Sequence, residues 1–131
     1  MNGKYTERLK TGGDLIVTVD DWYIQYYFSG PDLRYNGTFV QVAGKEIDEY
    51  INAYRNNFEK YLEIKKTIPD SGKFETPGEK GMTIRLGLWE GVCIDYYHMP
   101  IDTKEKIEEI IADYQYAKQR AKVLQNMLKS L

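Results

Sequence analysis

The sequence predicts an α+β fold, an antiparallel five-stranded sheet with two long helices in the order β-β-β-α-β-β-α. Two observations favour the sheet: short alternating or aromatic segments precede residue 45 and follow residue 81, and turn residues separate them. A third observation favours the helices. Residues 45–67 and 102–131 repeat apolar side chains at intervals of three and four, so each predicts a helix with one buried stripe.

The first half of the predicted sheet consists of three strands. They cover residues 15–19, 22–28 and 38–42. The first alternates apolar and polar residues, and the second is rich in aromatic and β-branched residues, which suit a pleated surface. Asp20-Asp21 and Asn36-Gly37 predict turns before the second and third strands. Residues 1–13 are polar and end in two glycines, so we expect a flexible N-terminal lead-in and a single domain over residues 14–131.

The first helix is predicted over residues 45–67 and ends before Pro69, which cannot continue it. Its buried stripe is predicted to consist of Ile47, Ile51, Tyr54, Phe58, Tyr61 and Leu62. Residues 70–81 contain three glycines and a proline without any periodicity, which predicts a long flexible loop. Loops of this length are often functional in compact domains, so we expect it to close over a ligand.

The second hairpin is predicted from strands at residues 82–88 and 92–99, joined by a two-residue turn at Glu90-Gly91. Such a turn pairs Trp89 with Val92, Gly87 with Ile94, Arg85 with Tyr96 and Thr83 with His98. The core face would then consist of Met82, Ile84, Leu86, Leu88, Cys93 and Tyr97. A loop with an odd number of residues would exchange the faces of one strand, because side chains alternate along it.

The other face of this hairpin is a candidate ligand site. It would present Arg85, Trp89, Tyr96 and His98, with free space above Gly87. An arginine pairs with a phosphate and aromatic rings stack on a base, so this set suits a nucleotide-like ligand. The alternative is an ordinary solvated sheet face with a cross-strand pair of arginine and tyrosine.

The last helix is predicted over residues 102–131, with Asp102 as its cap and Glu105 as the partner in a capping box. Its buried stripe would consist of Ile107, Ile110, Ile111, Tyr114, Ala117, Ala121, Leu124, Leu128 and Leu131. A second apolar stripe consists of Tyr116, Val123 and Met127, with Arg120 between them. A helix roughly 40 Å long with two apolar faces favours a homo-oligomer, and a frayed helix end is the alternative.

Composition and residue counts argue against several function classes. A net charge of −2 gives no basic surplus for duplex nucleic acid, and no apolar run reaches the length of a membrane span. The first residues contain no signal-peptide core, so we expect a cytoplasmic protein, in the bacterial host if a phage encodes it. One cysteine and one histidine are too few for a zinc site or a conventional nucleophile with its base. We therefore expect no metal, no cofactor and no enzymatic activity, with a two-carboxylate hydrolase as the alternative.

Three segments together resemble the phage Thoeris anti-defence proteins of the first type. They are the tyrosine-rich helix after three strands, the hairpin MTIRLGLWEGVCIDYYHMP and the terminal helix, so the resemblance extends from about Asp14 to the end. It implies a protein that sequesters cyclic ADP-ribose-type immune signals, and in some members cyclic oligonucleotides, without degrading them. It also implies dimers or larger oligomers with arginines and aromatic residues at the pocket.

The predicted function is therefore non-enzymatic binding of a cyclic nucleotide signal, which blocks a bacterial anti-phage defence. The predicted ligand-binding residues come from the open face of the second hairpin and from the two helices. They are Arg55, Arg85, Trp89, Tyr96, His98, Tyr116 and Arg120. The alternative is a protein-binding inhibitor such as an anti-CRISPR or an immunity protein. A mildly acidic surface with exposed tyrosines, 12 in this chain, would suit a basic protein partner.

Overall fold

The computed structural model of the chain describes residues 3–27, 39–69, 72–94 and 100–131. Within these ranges the chain forms two long helices and antiparallel sheets, which confirms the α+β class. The prediction of one five-stranded sheet is wrong, because the described strands form one sheet of four strands and another of three. Two compact units contain these sheets: Met1–Ile47 with Ala112–Leu131, the four-stranded unit, and Asp48–Ile111, the three-stranded unit.

The sheet of the four-stranded unit consists of β1 (Tyr5–Arg8), β2 (Asp14–Val17), β3 (Trp22–Tyr27) and β4 (Phe39–Ala43), in that order. Each strand is antiparallel to its neighbour. β2, β3 and β4 confirm the three strands predicted before the first helix. The turn predicted at Asn36-Gly37 lies outside the described residues.

β1 lies in the segment for which we predicted a lead-in and no strand. Its pairing with β2 places Glu7 opposite Leu15. The turn between the two strands is closed by the N–H of Leu9, which donates to the carbonyl of Gly13 at 2.7 Å. The sequence pattern missed this strand because an exposed strand at the edge of a sheet carries polar residues and needs no apolar alternation.

The same compact unit contains residues 112–129 of α2 (Lys104–Lys129), and a hydrogen bond between Tyr26 and Tyr114 links this part of the helix to β3. The register aligns Leu15 with Ile24 and Ile24 with Val42, and all three side chains are buried. Next to them, the hydroxyls of Tyr26 and Tyr114 form a hydrogen bond of 2.8 Å. Burial raises the pKa of the Tyr26 phenol, since the charged form would lose its hydration. The core of this unit is therefore mainly apolar, and its buried polar groups include the two phenols and the Asp113 carboxylate, which accepts the N–H of Thr11 at 2.7 Å.

α1 (Ile47–Thr67) follows a short 3-10 turn at Gly44–Glu46, as the helical pattern predicts. The predicted stripe is buried as far as Tyr61. The prediction that Leu62 is buried is wrong. Leu62 is exposed, because each successive residue of an α-helix is rotated by about 100° around the axis, which turns Leu62 away from the side of Tyr61. Asn57 is buried in its place, and its amide accepts the N–H of Glu79 at 2.8 Å and donates to the carbonyl of Glu79 at 3.2 Å.

The sheet of the three-stranded unit consists of β5 (Phe74–Pro77), β6 (Thr83–Leu86) and β7 (Gly91–Cys93), with a 3-10 turn at Glu79–Gly81. The predicted flexible loop at 70–81 is therefore wrong for residues 74–77, while Asp70 and Ser71 lie outside the described residues. Pro77 is compatible with this strand, because β5 lies at an edge of the described sheet and its last residue need not donate to the ladder.

The register between β6 and β7 differs from the predicted one. Arg85 pairs with Gly91, Ile84 with Val92 and Thr83 with Cys93. The connection between Arg85 and Gly91 contains an odd number of residues, so the faces of one strand are exchanged relative to the prediction. Val92 therefore joins Ile84 in the core, and Cys93 is buried on the side of Arg85. Leu88 is exposed in the connecting loop and does not belong to the core face.

The cap of α2 lies one residue later than predicted. Its cap is Thr103, whose hydroxyl accepts the N–H of Lys106 at 3.1 Å, so the capping box of Asp102 and Glu105 is wrong. Asp102 instead pairs with the ammonium of Lys106 at 2.9 Å. The predicted stripe is buried up to Leu124, and Leu131 is exposed. No helix in the described ranges is long and apolar enough to cross a membrane.

Candidate ligand-binding site

The predicted ligand residues fall into separate groups. Arg55, Arg85 and Trp89 lie in the three-stranded unit, and Tyr116 and Arg120 lie in the four-stranded unit. Tyr96 and His98 lie outside the described residues. Each unit therefore has to be considered for its own chemistry.

Arg85 is buried between strands, where we predicted an open sheet face. Its Nε lies 3.4 Å from the Oε1 atom of Glu75. The two residues are direct partners in the β5–β6 register, so the Glu75 carboxylate projects to the same face of the sheet as the guanidinium. A carboxylate thus already contacts the cation that we predicted for a phosphate.

Trp89 lies outside the sheet, in the loop between β6 and β7, and 53% of its surface is exposed. It therefore does not share a sheet face with Arg85. Its φ of 59° is in the left-handed region, which is unusual for a residue with a side chain. Arg55 is exposed on α1. The three predicted residues of this unit thus lie on three separate segments: α1, β6 and the loop that follows β6.

The carboxylate of Glu90 holds the Trp89 loop. It accepts the hydroxyl of Tyr61 at 2.5 Å, the ammonium of Lys65 at 2.7 Å and the N–H of Gly87 at 3.3 Å. The bond from Lys65 is the main reason that the pKa of Glu90 is lowered, and burial raises the pKa of Tyr61 to about 12. We call Tyr61, Lys65, Gly87 and Glu90 the Glu90 cluster. It fixes a loop whose tip presents Leu88 and Trp89 to solvent.

A second carboxylate cluster joins β1 to α2. The hydroxyl of Tyr5 donates to Oε1 of Glu7 at 3.0 Å, and Nε of Arg120 donates to the same oxygen at 3.1 Å. The hydroxyl of Tyr116 donates to the other oxygen, Oε2. We call Tyr5, Glu7, Tyr116 and Arg120 the Glu7 cluster. It brings together the two residues of α2 that the sequence analysis predicted for the ligand.

The electrostatics of the Glu7 cluster follow from these bonds. The hydroxyl of Tyr116, more than any other donor, lowers the pKa of Glu7, with a further contribution from Arg120. Hydrogen bonds from Arg120 to Tyr5 and Glu7 raise the pKa of the guanidinium. Its carbon also lies 5.9 Å from the centre of the Tyr5 ring, within the range of a cation–π interaction. The cluster is thus a charged pair surrounded by two phenol groups.

The second stripe of α2 is exposed next to this cluster. Tyr116, Val123 and Met127 are each about half exposed. Together with Arg120 they are spaced by three or four residues, so all four lie on the same side of the helix. The predicted apolar stripe therefore exists as a solvent-exposed surface in the single chain. Because the polar groups of Arg120 and Glu7 satisfy each other, burying this surface would leave few polar groups without a partner.

The Glu7 cluster is suited to an oxyanion. A guanidinium and two hydroxyls on one carboxylate form the kind of charge-assisted donor set that also binds phosphate. Within the described ranges, no group of three or more histidine, cysteine or acidic residues could hold a metal ion. Tyr5 and Glu7 were missed because we assigned them to the lead-in. The signal that could have found them is their spacing of two, which places them on one face of a strand.

In comparisons with known proteins, no family model, no curated protein and no solved structure matches this chain. The function must therefore be argued from the geometry of the chain itself.

Proposed function

We propose that this protein is a non-enzymatic binding protein that sequesters a cyclic nucleotide-type immune signal, either a cyclic ADP-ribose isomer or a cyclic oligonucleotide. In the bacterial cytoplasm, removal of this signal would block an anti-phage defence. The observation that supports the proposal is the Glu7 cluster. Arg120 and Tyr116, both predicted for the ligand from the sequence, converge with Tyr5 on one oxyanion-binding position.

The donors of this cluster match the chemistry of a phosphodiester or pyrophosphate. A guanidinium can donate two parallel hydrogen bonds to a phosphate, and a phenol can donate a third or stack beside a base. Arg120 has 34% of its side chain exposed, so a ligand can reach it from solvent. Capture without degradation needs only this affinity, and it needs no nucleophile.

The ligand site would gain closure from a second copy of the chain. The exposed stripe of Tyr116, Val123 and Met127 lies beside Arg120, and an identical subunit could cover it. We therefore expect a homo-oligomer with the Glu7 cluster near its interface. Light scattering at micromolar concentration should give a multiple of the 15.3 kDa chain mass, and the variant Met127→Glu should shift it towards the monomer. A monomeric mass for the unmodified protein would contradict the oligomer.

The ligand is tested with a thermal-shift panel of cyclic nucleotides. A compound that binds only the folded state, at a hundred times its Kd, stabilises the protein by about 2.7 kcal/mol. We expect one cyclic nucleotide to do this, and we expect heating of the complex to release it with unchanged mass. An altered mass would show an enzyme, and a panel without any response would contradict the proposal.

Arg120→Ala should weaken binding of that nucleotide more than tenfold while the protein remains folded. The matched control is Lys122→Ala, which removes an exposed cation from the same helix two residues away. Calorimetry on both variants separates a specific contact from a general change in charge. Equal affinity in the two variants would show that Arg120 is only a surface cation.

The second candidate function is a protein-binding inhibitor, and the Trp89 loop favours it. Leu88 and Trp89 are large, exposed and held by the Glu90 cluster. Tryptophan is frequent among the residues that dominate the binding energy of protein interfaces, especially where the backbone is preorganised. An inhibitor of this kind should respond to none of the nucleotides. Trp89→Ala should then abolish inhibition of its target, whereas Arg120→Ala should leave that inhibition unchanged.

A further inference from the structure

We infer that Glu7 is a built-in competitor for the ligand: its carboxylate fills the anion position between Tyr5, Tyr116 and Arg120, and the ligand's phosphate must displace it. This inference rests on the proposed function, because it assumes that the same donors bind the ligand. It adds a residue that sets affinity and specificity at that site.

The carboxylate of Glu7 occupies the position that an external oxyanion would take. Both of its oxygens accept hydrogen bonds: Oε1 from Tyr5 and Arg120, and Oε2 from Tyr116. The donors come from two separate elements, β1 and α2, and converge on this one group. A carboxylate and a phosphate can each present two charged oxygens to a guanidinium, so one can replace the other.

The position of Glu7 permits its side chain to leave. The pairing of β1 with β2 uses the backbone of Glu7, opposite Leu15, so the strand does not depend on the carboxylate. The side chain retains 19% of its exposure, and Tyr116 is nearly half exposed, so the cluster opens towards solvent. Rotation of Glu7 outwards would place its charge in water, where an ionised carboxylate is well solvated.

Charge makes the two occupants mutually exclusive. A phosphate on Arg120 would lie within a few ångströms of the Glu7 carboxylate, and like charges at that distance repel strongly in a partly buried site. The free protein therefore keeps Arg120 neutralised. Weak monovalent anions gain too little to displace Glu7, whereas a multivalent phosphate gains more from the same donors. Glu7 would thus raise the threshold for binding and select for highly charged ligands.

A purely structural role for Glu7 makes the opposite prediction. If the carboxylate only fastens β1 to α2, then Glu7→Gln lowers the stability and adds no affinity for anions. If the carboxylate is a competitor, then its removal exposes the donors and increases anion affinity. The two roles are therefore distinguished by the direction in which the affinity changes.

The test uses the full chain and inorganic pyrophosphate as the probe, measured by calorimetry. We expect Glu7→Gln and Glu7→Ala each to bind pyrophosphate at least tenfold more tightly than the unmodified protein. The double variant Glu7→Gln with Arg120→Ala should lose that gain. The matched control is Asp14→Asn, since Asp14 pairs with Arg8 at 3.3 Å on the same sheet and is 24% exposed. It removes one negative charge elsewhere and should bind like the unmodified protein.

Equal pyrophosphate affinity in the folded Glu7 variants and the unmodified protein would overturn the inference. So would an equal gain in Asp14→Asn, because the effect would then be one of net charge. If the Glu7 variants do not fold, nuclear magnetic resonance on the unmodified protein decides. Saturating pyrophosphate should shift the Glu7 carboxyl carbon and the Arg120 Nε–H signals together, and unchanged signals would contradict displacement.

The outcomes also separate this inference from the proposed function. Tighter pyrophosphate binding in Glu7→Gln, with no cyclic nucleotide bound by any form of the protein, would support the competitor and refute the signal ligand. A cyclic nucleotide that binds the unmodified protein and Glu7→Gln equally would support the ligand and refute the competitor.

Discussion

Arg85 and Arg120 each contact a glutamate, one in each compact unit, but their surroundings differ. The Arg85 side chain is 8% exposed and lies 3.4 Å from Glu75, its partner on the neighbouring strand. The Arg120 side chain is 34% exposed and lies 3.1 Å from Glu7, on an element far away in sequence. The sequence analysis predicted both for the same ligand. The comparison shows that an arginine's role depends on what covers it, since a buried guanidinium supports the fold and an exposed one remains accessible.

The difference begins with β6. Ile84 and Arg85 project to opposite faces of this strand, yet both are buried, so neither face of β6 is open to solvent at these positions. Arg120 lies on a helix that has one buried stripe and one exposed stripe. A residue between such stripes keeps contact with water, which is what a ligand site requires.

The largest expected effect tests whether β6 is covered as described. Ile84→Ala should lower the free energy of unfolding by roughly 2–5 kcal/mol, because it removes a fully buried side chain. Leu88→Ala is the control, since the sequence predicted both residues for the core and Leu88 is exposed in the loop. It should change the free energy by no more than about 0.5 kcal/mol. Denaturant unfolding with equal losses for the two variants would refute the register of β6 and β7.

The next effect concerns Arg85 itself. Arg85→Ala should lower the free energy of unfolding by about 1–3 kcal/mol, because it removes buried packing and the charged contact with Glu75. Arg55→Ala removes an exposed arginine from α1 and should cost no more than about 0.5 kcal/mol. Chemical denaturation of both variants checks this. If Arg85→Ala were as stable as the unmodified protein but had lost nucleotide binding, Arg85 would belong to the ligand site. The distinction between a structural Arg85 and a ligand-binding Arg120 would then be wrong.

A smaller effect distinguishes Tyr61 of the Glu90 cluster from Tyr116 of the Glu7 cluster. Tyr61 is buried and donates to Glu90, so Tyr61→Phe should cost about 1–2 kcal/mol of unfolding free energy. Tyr116 is nearly half exposed and donates to Glu7, where water can replace its hydroxyl, so Tyr116→Phe should cost about 0.5 kcal/mol or less. Thermal and denaturant unfolding should rank the variants in this order, and the reverse order would mean that the Glu7 cluster is the structural one.

The smallest effect is expected in the dependence of the unfolding free energy on acidic pH. The pKa values of Glu7 and Glu90 are lower in the folded protein than the ordinary 4.5. Each carboxylate therefore contributes stability that is fully present above about pH 4.5 and is lost as the pH falls through its folded pKa. Glu7→Gln and Glu90→Gln should each flatten the dependence of the unfolding free energy on pH below this value. A pH profile identical to that of the unmodified protein would show that the bonds to that carboxylate do not persist in solution.

Much of the regular structure could be predicted from the sequence. The stripe from Ile47 to Tyr61 predicted α1, the stripe from Ile107 to Leu124 predicted α2, and alternation around Leu15 predicted β2. The second stripe of Tyr116, Val123 and Met127 was also predicted, and it is exposed as a surface on α2. These features follow from periodicity, which depends only on neighbours along the chain.

The candidate site could be predicted only in part. Tyr116 and Arg120 were chosen from the sequence, whereas Tyr5 and Glu7 were not, because they are more than a hundred positions away from their partners. The register of β6 and β7 was also missed. Backbone geometry in the loop, with positive φ at Gly87, Trp89 and Gly91, together with the bonds to Glu90, decides its length.

The sequence by itself determined the two helices, most of the stripe that each helix buries, and strands β2, β3, β4 and β6, because helix and strand periods are local properties of the chain. The tertiary structure alone decided that β1 and β5 exist, that Arg85 is buried beside Glu75, and that Glu7 meets Arg120. Polar edge strands and ion pairs carry no periodic signal, since their stability comes from partners that only the folded chain brings near. For this reason the sequence could indicate Arg85 and Arg120 as candidate ligand residues, and only the fold could show that Arg85 is buried and Arg120 is accessible.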